Sequence, residues 1–560
     1  MFTRPSQITE DKKNEILDRM WQKDASLWTS EPEAEKEIIS NLDCLDPISN
    51  MELAAGKIVQ FIEELKAKGI KQCIFLTSEG TGVCPSALNN IFRPKEGSLT
   101  LKFVNGLDEK AIQGLTKDIS LSETFFILSG KKEIPLNTQA LFHYFWSLCE
   151  KDGLKPKDNF AAISDDSGKL HELAIDRQFS QVFLNPGNIS PKLSALFYPA
   201  LFTIAAGGHD VHLFIDRMKD MTKQCSADYS WEKNPACLLA DFLSEYGVQN
   251  RDKLTLLADP AIKPFTLWIE QIMASFTGKE TGGILPITGE TTGIPGFYGG
   301  ERMFVYLRYS KTPEKDSLND FIEELRKADF PIYEICLDDL YDISGQLFLW
   351  TFAALLTSHF VGVNPFGEKE AAATYEKTQE ILNAYKKTKE FPAEFWIDPQ
   401  SHINFRASKM LAPSIKSLSR AIKDIFTAVP TWGYIAFLSY LPEDDEVLET
   451  FGTMRHLARQ EKGCAITYGH GPGYLNSTGQ LHKAGPISSA FLIFTRRQGE
   501  ENVEVPEMGL NFWQINFAIA SGDFEALSEV NRRVIHVHLS RNHIEGLKSF
   551  SKVFSRAVRI

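Results

Sequence analysis

Apolar runs of strand length alternate with segments of helical length from Met51 to Leu184, and no other feature constrains the fold of this chain so tightly. The pattern predicts helices over 51–68, 83–92, 108–117 and 138–150, each feeding a strand, at 72–76, 101–104, 124–128 and 160–164, with one more strand at 181–184. Strands separated by a helix are joined by crossovers, which return the chain to the same end of a sheet and make neighbours parallel. A parallel sheet covered on both faces is therefore expected. A second series begins near Asn234, with strands predicted at 254–258, 303–307 and 332–336 between helices 235–246, 263–276 and 315–328, then long helices at 344–361 and 370–388. Two such units in tandem place a ligand cleft at the carboxyl ends of their strands.

The ends of the chain read differently. The first fifty residues read as helical, with a tryptophan-bearing turn from Trp21 to Trp28. Beyond 430, strands predicted at 433–438, 464–467, 490–494 and 534–539 accompany helices at 443–461 and 512–522 and a glycine-rich loop, which suggests a compact α+β module with an antiparallel sheet. The expected division is a helical segment over 1–50, α/β domains over 51–230 and 231–400, and a linker with the α+β module over 401–560. At 560 residues the chain exceeds one simple core, in keeping with several domains.

Bulk properties narrow the function classes. A formal net charge of −13 argues against a nucleic-acid partner, because phosphate backbones select basic faces. Met1 to Glu15 has no apolar core of a secretion signal. The longest apolar segments, Leu193–Ala206 and Leu347–Val363, carry Pro199 and a group of hydroxyl residues respectively, and read as buried helices rather than membrane spans. The eight cysteines are scattered without a C-x-x-C pair, which suits reduced thiols in a cytoplasmic protein.

The segment Leu128 to Thr138 is the most informative local feature. An apolar strand, a small-residue turn at Ser129-Gly130 and a following helix make the scaffold of an anion site, since backbone N–H groups and the helix dipole converge there. Lys131 adds a cation, whereas Glu133 brings like charge toward a bound anion and Pro135 removes one N–H donor.

Several strings then resemble the phosphoglucose isomerase part of the bacterial bifunctional transaldolase/phosphoglucose isomerase family. They are Trp21-x-x-Asp24-x-x-Leu27-Trp28, Val182 to Pro186, Arg251 to Thr255, Leu267 to Gln271, Thr277 to Glu280, Gly362 to Phe366, and the long string Ser477 to Lys483. The resemblance covers nearly the whole chain. It implies two sugar isomerase domains, doubly wound with mainly parallel sheets, holding a hexose 6-phosphate between them, plus the C-terminal module. It also implies a glutamate that shuttles a proton between C1 and C2, an arginine on the developing oxyanion, and a lysine and a histidine for ring opening. That division is sound, because the base must reach the carbon-bound proton and the cation must sit where charge develops.

Carried over position by position, these roles meet altered residues. The glutamate position holds Ser275, the arginine position Lys192 and the late lysine position Tyr375. Lys192 keeps charge but loses the planar fork. The family's first loop keeps Gly80 and Thr81, whereas its phosphate loop becomes Gly130 to Pro135, which keeps Lys131 and loses the small hydroxyl donors; Gly80, Thr81, Ser129 and Lys131 are the candidate sugar-phosphate ligands there. Glu280, Lys369 and Lys377 are the available substitutes for lost groups, although Glu280 already matches a second family glutamate. In the glycine-rich loop His482 and Lys483 could bind an anion, but Gly473 and Asn476 stand where the family has arginine and histidine.

Other motifs carry less. Thr277 to Gly283 lacks the spacing of a nucleotide loop, and Gly207-Gly208-His209-Asp210 with His212 reads as a helix-ending turn rather than a metal site. No cofactor is expected. The leading expectation is a catalytically impaired phosphoglucose isomerase homologue that binds, regulates or assembles, either as a homo-oligomer or beside another metabolic enzyme, with weak hold on a sugar phosphate. The alternatives are a divergent glucose 6-phosphate/fructose 6-phosphate isomerase and a sugar-phosphate sensor without turnover.

Overall fold

The computed structural model describes residues 4–77, 80–104, 106–130, 133–185, 190–194, 196–280, 282–367, 369–411 and 417–559, apart from the side chains of 369–371. Lys131, within the expected phosphate loop, lies outside them.

The first α/β unit is built as its pattern predicts. Strands β1 (Gln72–Thr77), β2 (Thr100–Val104), β3 (Thr124–Ser129), β4 (Phe160–Ser164) and β5 (Gln181–Leu184) form an all-parallel sheet in the order β2-β1-β3-β4-β5. Successive side chains enter opposite cores, as the two-residue period of a strand requires. Phe75, Phe125 and Ile127 pack on one side with Phe61 and Phe202, while Ile74, Leu76, Phe126 and Leu128 pack on the other with Phe142 and Phe145.

The second unit contains β6 (Lys253–Ala258), β7 (Leu285–Ile287), β8 (Arg302–Tyr309) and β9 (Ile332–Leu337), all parallel in the order β7-β6-β8-β9. Beside it runs the helix Asp342–Val361, apolar on every side and buried almost throughout. Three of its hydroxyls are satisfied within the helix: Thr351 donates to Leu347 O at 2.8 Å, Thr357 to Ala353 O at 2.7 Å and Ser358 to Leu355 O at 2.7 Å. Among the described residues no helix is long and apolar enough to cross a membrane. The N-terminal segment straps onto this helix. Trp21 packs its ring 5.4 Å from that of Phe352, and Trp28 Nε1 donates to Ser358 Oγ at 2.9 Å.

The C-terminal module departs from the expected antiparallel sheet. Its strands are β10 (Trp396–Ile397), β11 (Asn404–Ala407), β12 (Tyr434–Ser439), β13 (Ala465–His470), β14 (Ser489–Arg496) and, after the small hairpin β15 (Glu504–Val505) and β16 (Leu510–Asn511), β17 (Arg533–Leu539). The main sheet runs β10-β11-β17-β14-β12-β13, and the four strands β17, β14, β12 and β13 are parallel. Only β10 and β11 pair in antiparallel fashion. The helices Asp445–Lys462 and Phe512–Glu529 lie on crossovers between strands, and a helical crossover imposes parallel pairing. One face of this sheet joins the core already begun by the first unit: Phe491 and Phe512 belong to the same apolar cluster as Phe126 and Phe142.

Candidate functional site

In the first sheet β2 and β3 flank β1, so the chain leaves β1 and β3 in opposite directions, which makes their carboxyl ends the switch point where folds of this class bind ligands. Thr77 and Ser129, paired in register, close the two strands there. Thr81 Oγ1 donates to Ser129 O at 3.0 Å, and Thr138 Oγ1 donates to Thr77 O at 3.0 Å, which ties both following turns to the strand ends. Gly80 has φ +82°, and a Cβ on it would stand 2.2 Å from Gln271 Nε2. That amide donates to Gly80 O and to Asn476 O, both at 3.1 Å. Loops of the first unit and of the C-terminal module therefore meet on the helix Phe265–Thr277 of the second.

Glu133 is exposed and pairs with Lys169 Nζ at 2.6 Å. Pro135 is the N-cap of helix Leu136–Lys151, so one of the four unpaired N–H positions at that helix start lacks its donor.

Ser275 is buried, 2% exposed, and its Oγ has no hydrogen-bond partner among the described residues. It lies one turn beyond Gln271 on the same face of the helix. Lys192 is buried in the short helix Pro191–Ser194, and Tyr375 is half-buried on the helix Lys369–Thr388. The substitutes are placed elsewhere. Glu280 is exposed in a left-handed turn with φ 53°, and Lys377 pairs with Glu529 at 2.7 Å and with Glu380 at 3.2 Å. The side chain of Lys369 lies outside the described residues.

His482 and Lys483 are interior rather than anion-facing. Lys483 Nζ pairs with Asp523 at 2.7 Å, both fully buried, and Thr374 Oγ1 donates to the same carboxylate at 2.8 Å. Tyr474 OH donates to the other Asp523 oxygen and lies 3.1 Å from Tyr440 OH. Burial, together with this carboxylate, drives both phenols well above their ordinary pKa. His482 Nδ1 meets Tyr434 OH at 3.1 Å; burial first, then the charges of Lys483 and Arg532, hold the imidazole neutral. Asp210, in the histidine-bearing turn, caps helix Val211–Gln224 through a 3.0 Å bond from Leu213 N.

The structure adds a residue that sequence reasoning passed over. Glu270 Oε2 accepts from Thr288 Oγ1 at 2.5 Å, and Oε1 lies 3.5 Å from Ser477 Oγ. Loss of hydration raises its pKa to about 7, against opposing pulls from Thr288, Arg455 and Ser477. Arg455 donates to Ile466 O at 3.1 Å, Gly289 O at 3.1 Å and Thr288 O at 3.0 Å. Next to them a groove of about 510 Å³ follows the carboxyl ends of β6, β7 and β13, lined by Asn90, Lys263, Thr266, Thr288, Arg455 and Tyr468 among others. Glu270 sits inside the string Leu267 to Gln271, one of those that carry the family resemblance.

No family model matches the chain. Among curated proteins it is similar to the glucose-6-phosphate isomerase of Prochlorococcus marinus, at 21% identity over 39% of this chain and 42% of that protein. It is also similar to that of Leptospira interrogans, at 22% identity over 43% of this chain and 63% of that protein. The matched region thus spans about half the length of these relatives. Among solved structures, a glucose-6-phosphate isomerase from Chlamydia trachomatis aligns with a TM-score of 0.52 at 15% identity, over 67% of this chain and 78% of that one. A hypothetical protein from Thermus thermophilus aligns with a TM-score of 0.56 at 14% identity, over 68% of this chain and 95% of that one. The chain has the sugar isomerase fold. Within that fold the Gly80, Gln271 and Asn476 junction lies at the first switch point, and the groove lined by Thr288 and Arg455 lies at the carboxyl edge of the second sheet.

Proposed function

We propose that this protein is a sugar isomerase homologue, allied to the phosphoglucose isomerase part of the bifunctional transaldolase proteins, that has given up turnover and serves as a binding, regulatory or assembly subunit of sugar-phosphate metabolism in the cytoplasm. The observation that carries this reading is Ser275. It stands buried one turn from the Gln271 junction, with no hydrogen-bond partner among the described residues and without a carboxylate. Glu270 faces Thr288, and Glu280 is exposed to solvent. A hydroxyl without a base cannot take a carbon-bound proton, and loss of a positioned base costs about 10²–10⁴-fold. Incubating the protein with fructose 6-phosphate and following glucose 6-phosphate tests it. Turnover within about tenfold of an ordinary isomerase overturns the reading.

Glu270 favours a second reading, a divergent aldose-ketose isomerase. Its pKa of about 7 suits a general base, and its partner Thr288 lines the groove to which Arg455 brings a cation. Turnover that is abolished in Glu270→Gln, in a protein that stays folded, would establish this reading in place of the first.

A further inference from the structure

A groove of about 710 Å³ lies at the opposite end of the sheets from the sites above. Its walls include residues that immediately precede strands, Asp252 before β6, Ile284 before β7, Glu301 before β8 and Ser488 before β14, with Trp432 two positions before β12. Amino ends of parallel strands are not where this fold class binds its small ligands. A groove there suits another use.

Three observations say what would fit. Every charged residue lining the groove is a carboxylate, Asp252 or Glu301, on a chain of net charge −13. Glu301 is 5% exposed, its Oε1 accepts no hydrogen bond, and its nearest cation contact is Arg302 Nε at 3.7 Å. Asp252 lines the groove and meets Lys253 Nζ at 2.5 Å through one of its two oxygens. The rim, finally, is apolar and exposed: Trp432 is 59% exposed, and Ile487, between the lining residues Pro486 and Ser488, is 74% exposed. Large apolar side chains held side by side in water mark contact surfaces, and tryptophan is the commonest anchor of such contacts.

The rim is fixed in place. A Cβ on Gly433 would stand 2.2 Å from Ser488 O, so glycine allows the Trp432 and Ile487 loops to run against each other. Arg532, buried, donates to Lys483 O at 2.7 Å, Gly485 O at 2.7 Å and Pro486 O at 2.9 Å and holds the second loop from within. A rigid rim loses little conformational entropy on docking.

We propose that this groove docks a basic segment of a partner protein, with a lysine or arginine side chain between Trp432, Asp252 and Glu301 and an aliphatic neighbour against Ile487. A second copy of this acidic chain is disfavoured by like charge, whereas a basic partner gains from complementary fields in both rate and register. The indole face adds a cation–π contact to the inserted side chain. This inference rests on the assembly role proposed above and supplies the chemistry of the partner.

The test pans a library of random dodecapeptides on the full-length protein and measures the selected peptides by fluorescence anisotropy. The expected result is enrichment of lysine or arginine beside a branched aliphatic or aromatic residue. Binding should weaken about tenfold or more in Trp432→Ala and in Ile487→Ser, and also in Glu301→Gln and at raised salt. Trp432 and Ile487 are exposed, so their variants keep the test valid should Glu301→Gln fold poorly. Enrichment of acidic or uncharged peptides, equal binding by Trp432→Ala, or no peptide above background overturns the proposal. The fructose 6-phosphate assay on the same preparation separates the two ideas: turnover with peptide binding intact removes the non-catalytic reading and leaves the groove, and the reverse result removes the groove alone.

Discussion

Arg302 grips Glu290 with both arms of its guanidinium, Nη1 at 3.0 Å and Nη2 at 3.2 Å from the two carboxylate oxygens, in a site where neither side chain is more than 5% exposed. Arg459, from the C-terminal module, adds a contact to the same carboxylate at 3.3 Å. Burial would raise the Glu290 carboxyl, but Arg302, Arg459 and Arg455 together hold it below the usual range. Glu290→Gln is expected to destabilise the protein by about 3–5 kcal/mol, since it strands buried cations. Because the folded pKa lies below the unfolded one, this stabilisation is present at neutral pH and is lost as pH falls through the folded value. Urea midpoints of wild type and variant should converge in acid.

Glu270 has the opposite sign. Its folded pKa of about 7 exceeds the unfolded value, so ionising it opposes folding. Its contribution falls as pH rises from about 4.3 to about 7. Glu270→Gln should therefore gain stability relative to wild type at about pH 8 and not at about pH 4. Equal differences at the two pH values would show that Glu270 titrates normally.

Gly80→Ala should be costly, and the cost should depend on Gln271. The new methyl group meets Gln271 Nε2 at 2.2 Å, and φ +82° adds backbone strain of about 1–2 kcal/mol. In a double-mutant cycle with Gln271→Ala the two effects are expected to be non-additive by about 0.5–3 kcal/mol. Simple additivity in thermal unfolding would show that the junction does not couple the two residues.

Hexose 6-phosphate should bind weakly or not at all. The cation at Lys483 is spent on Asp523 and His482 is held neutral. A micromolar dissociation constant from calorimetry with glucose 6-phosphate would favour the sensor reading.

What the sequence revealed follows from the range of each signal. The period-two burial of β1 and β3 was visible because it is local: Ile74 and Phe75 declare opposite faces without reference to anything distant. The buried character of helix Asp342–Val361 was visible in its hydroxyl residues. The parallel pairing of β12, β13, β14 and β17 was missed although the foreseen helices 443–461 and 512–522 already imply it, since a helical crossover returns the chain to the same end of the sheet. The ion pair of Glu133 was illegible for a simpler reason. Its partner Lys169 lies 36 positions further on, and no local rule links them. Glu270 was hidden because a carboxylate inside an apolar helix reads as framework until Thr288 and Ser477 come to it from distant loops.

The apolar cluster shared by the first sheet and the C-terminal sheet has a consequence for synthesis. Helix Leu136–Lys151 emerges early, yet Tyr144 packs its ring 5.4 Å from Phe512, and Phe512 lies near the end of the chain. While the ribosome makes the residues between them, that face of the nascent first unit has no cover. Transiently bare apolar surface of this kind is what chaperones bind. The chain is thus expected to engage a holding chaperone during translation and to release it only when helix Phe512–Glu529 arrives, so a gene truncated near 400 should yield insoluble product.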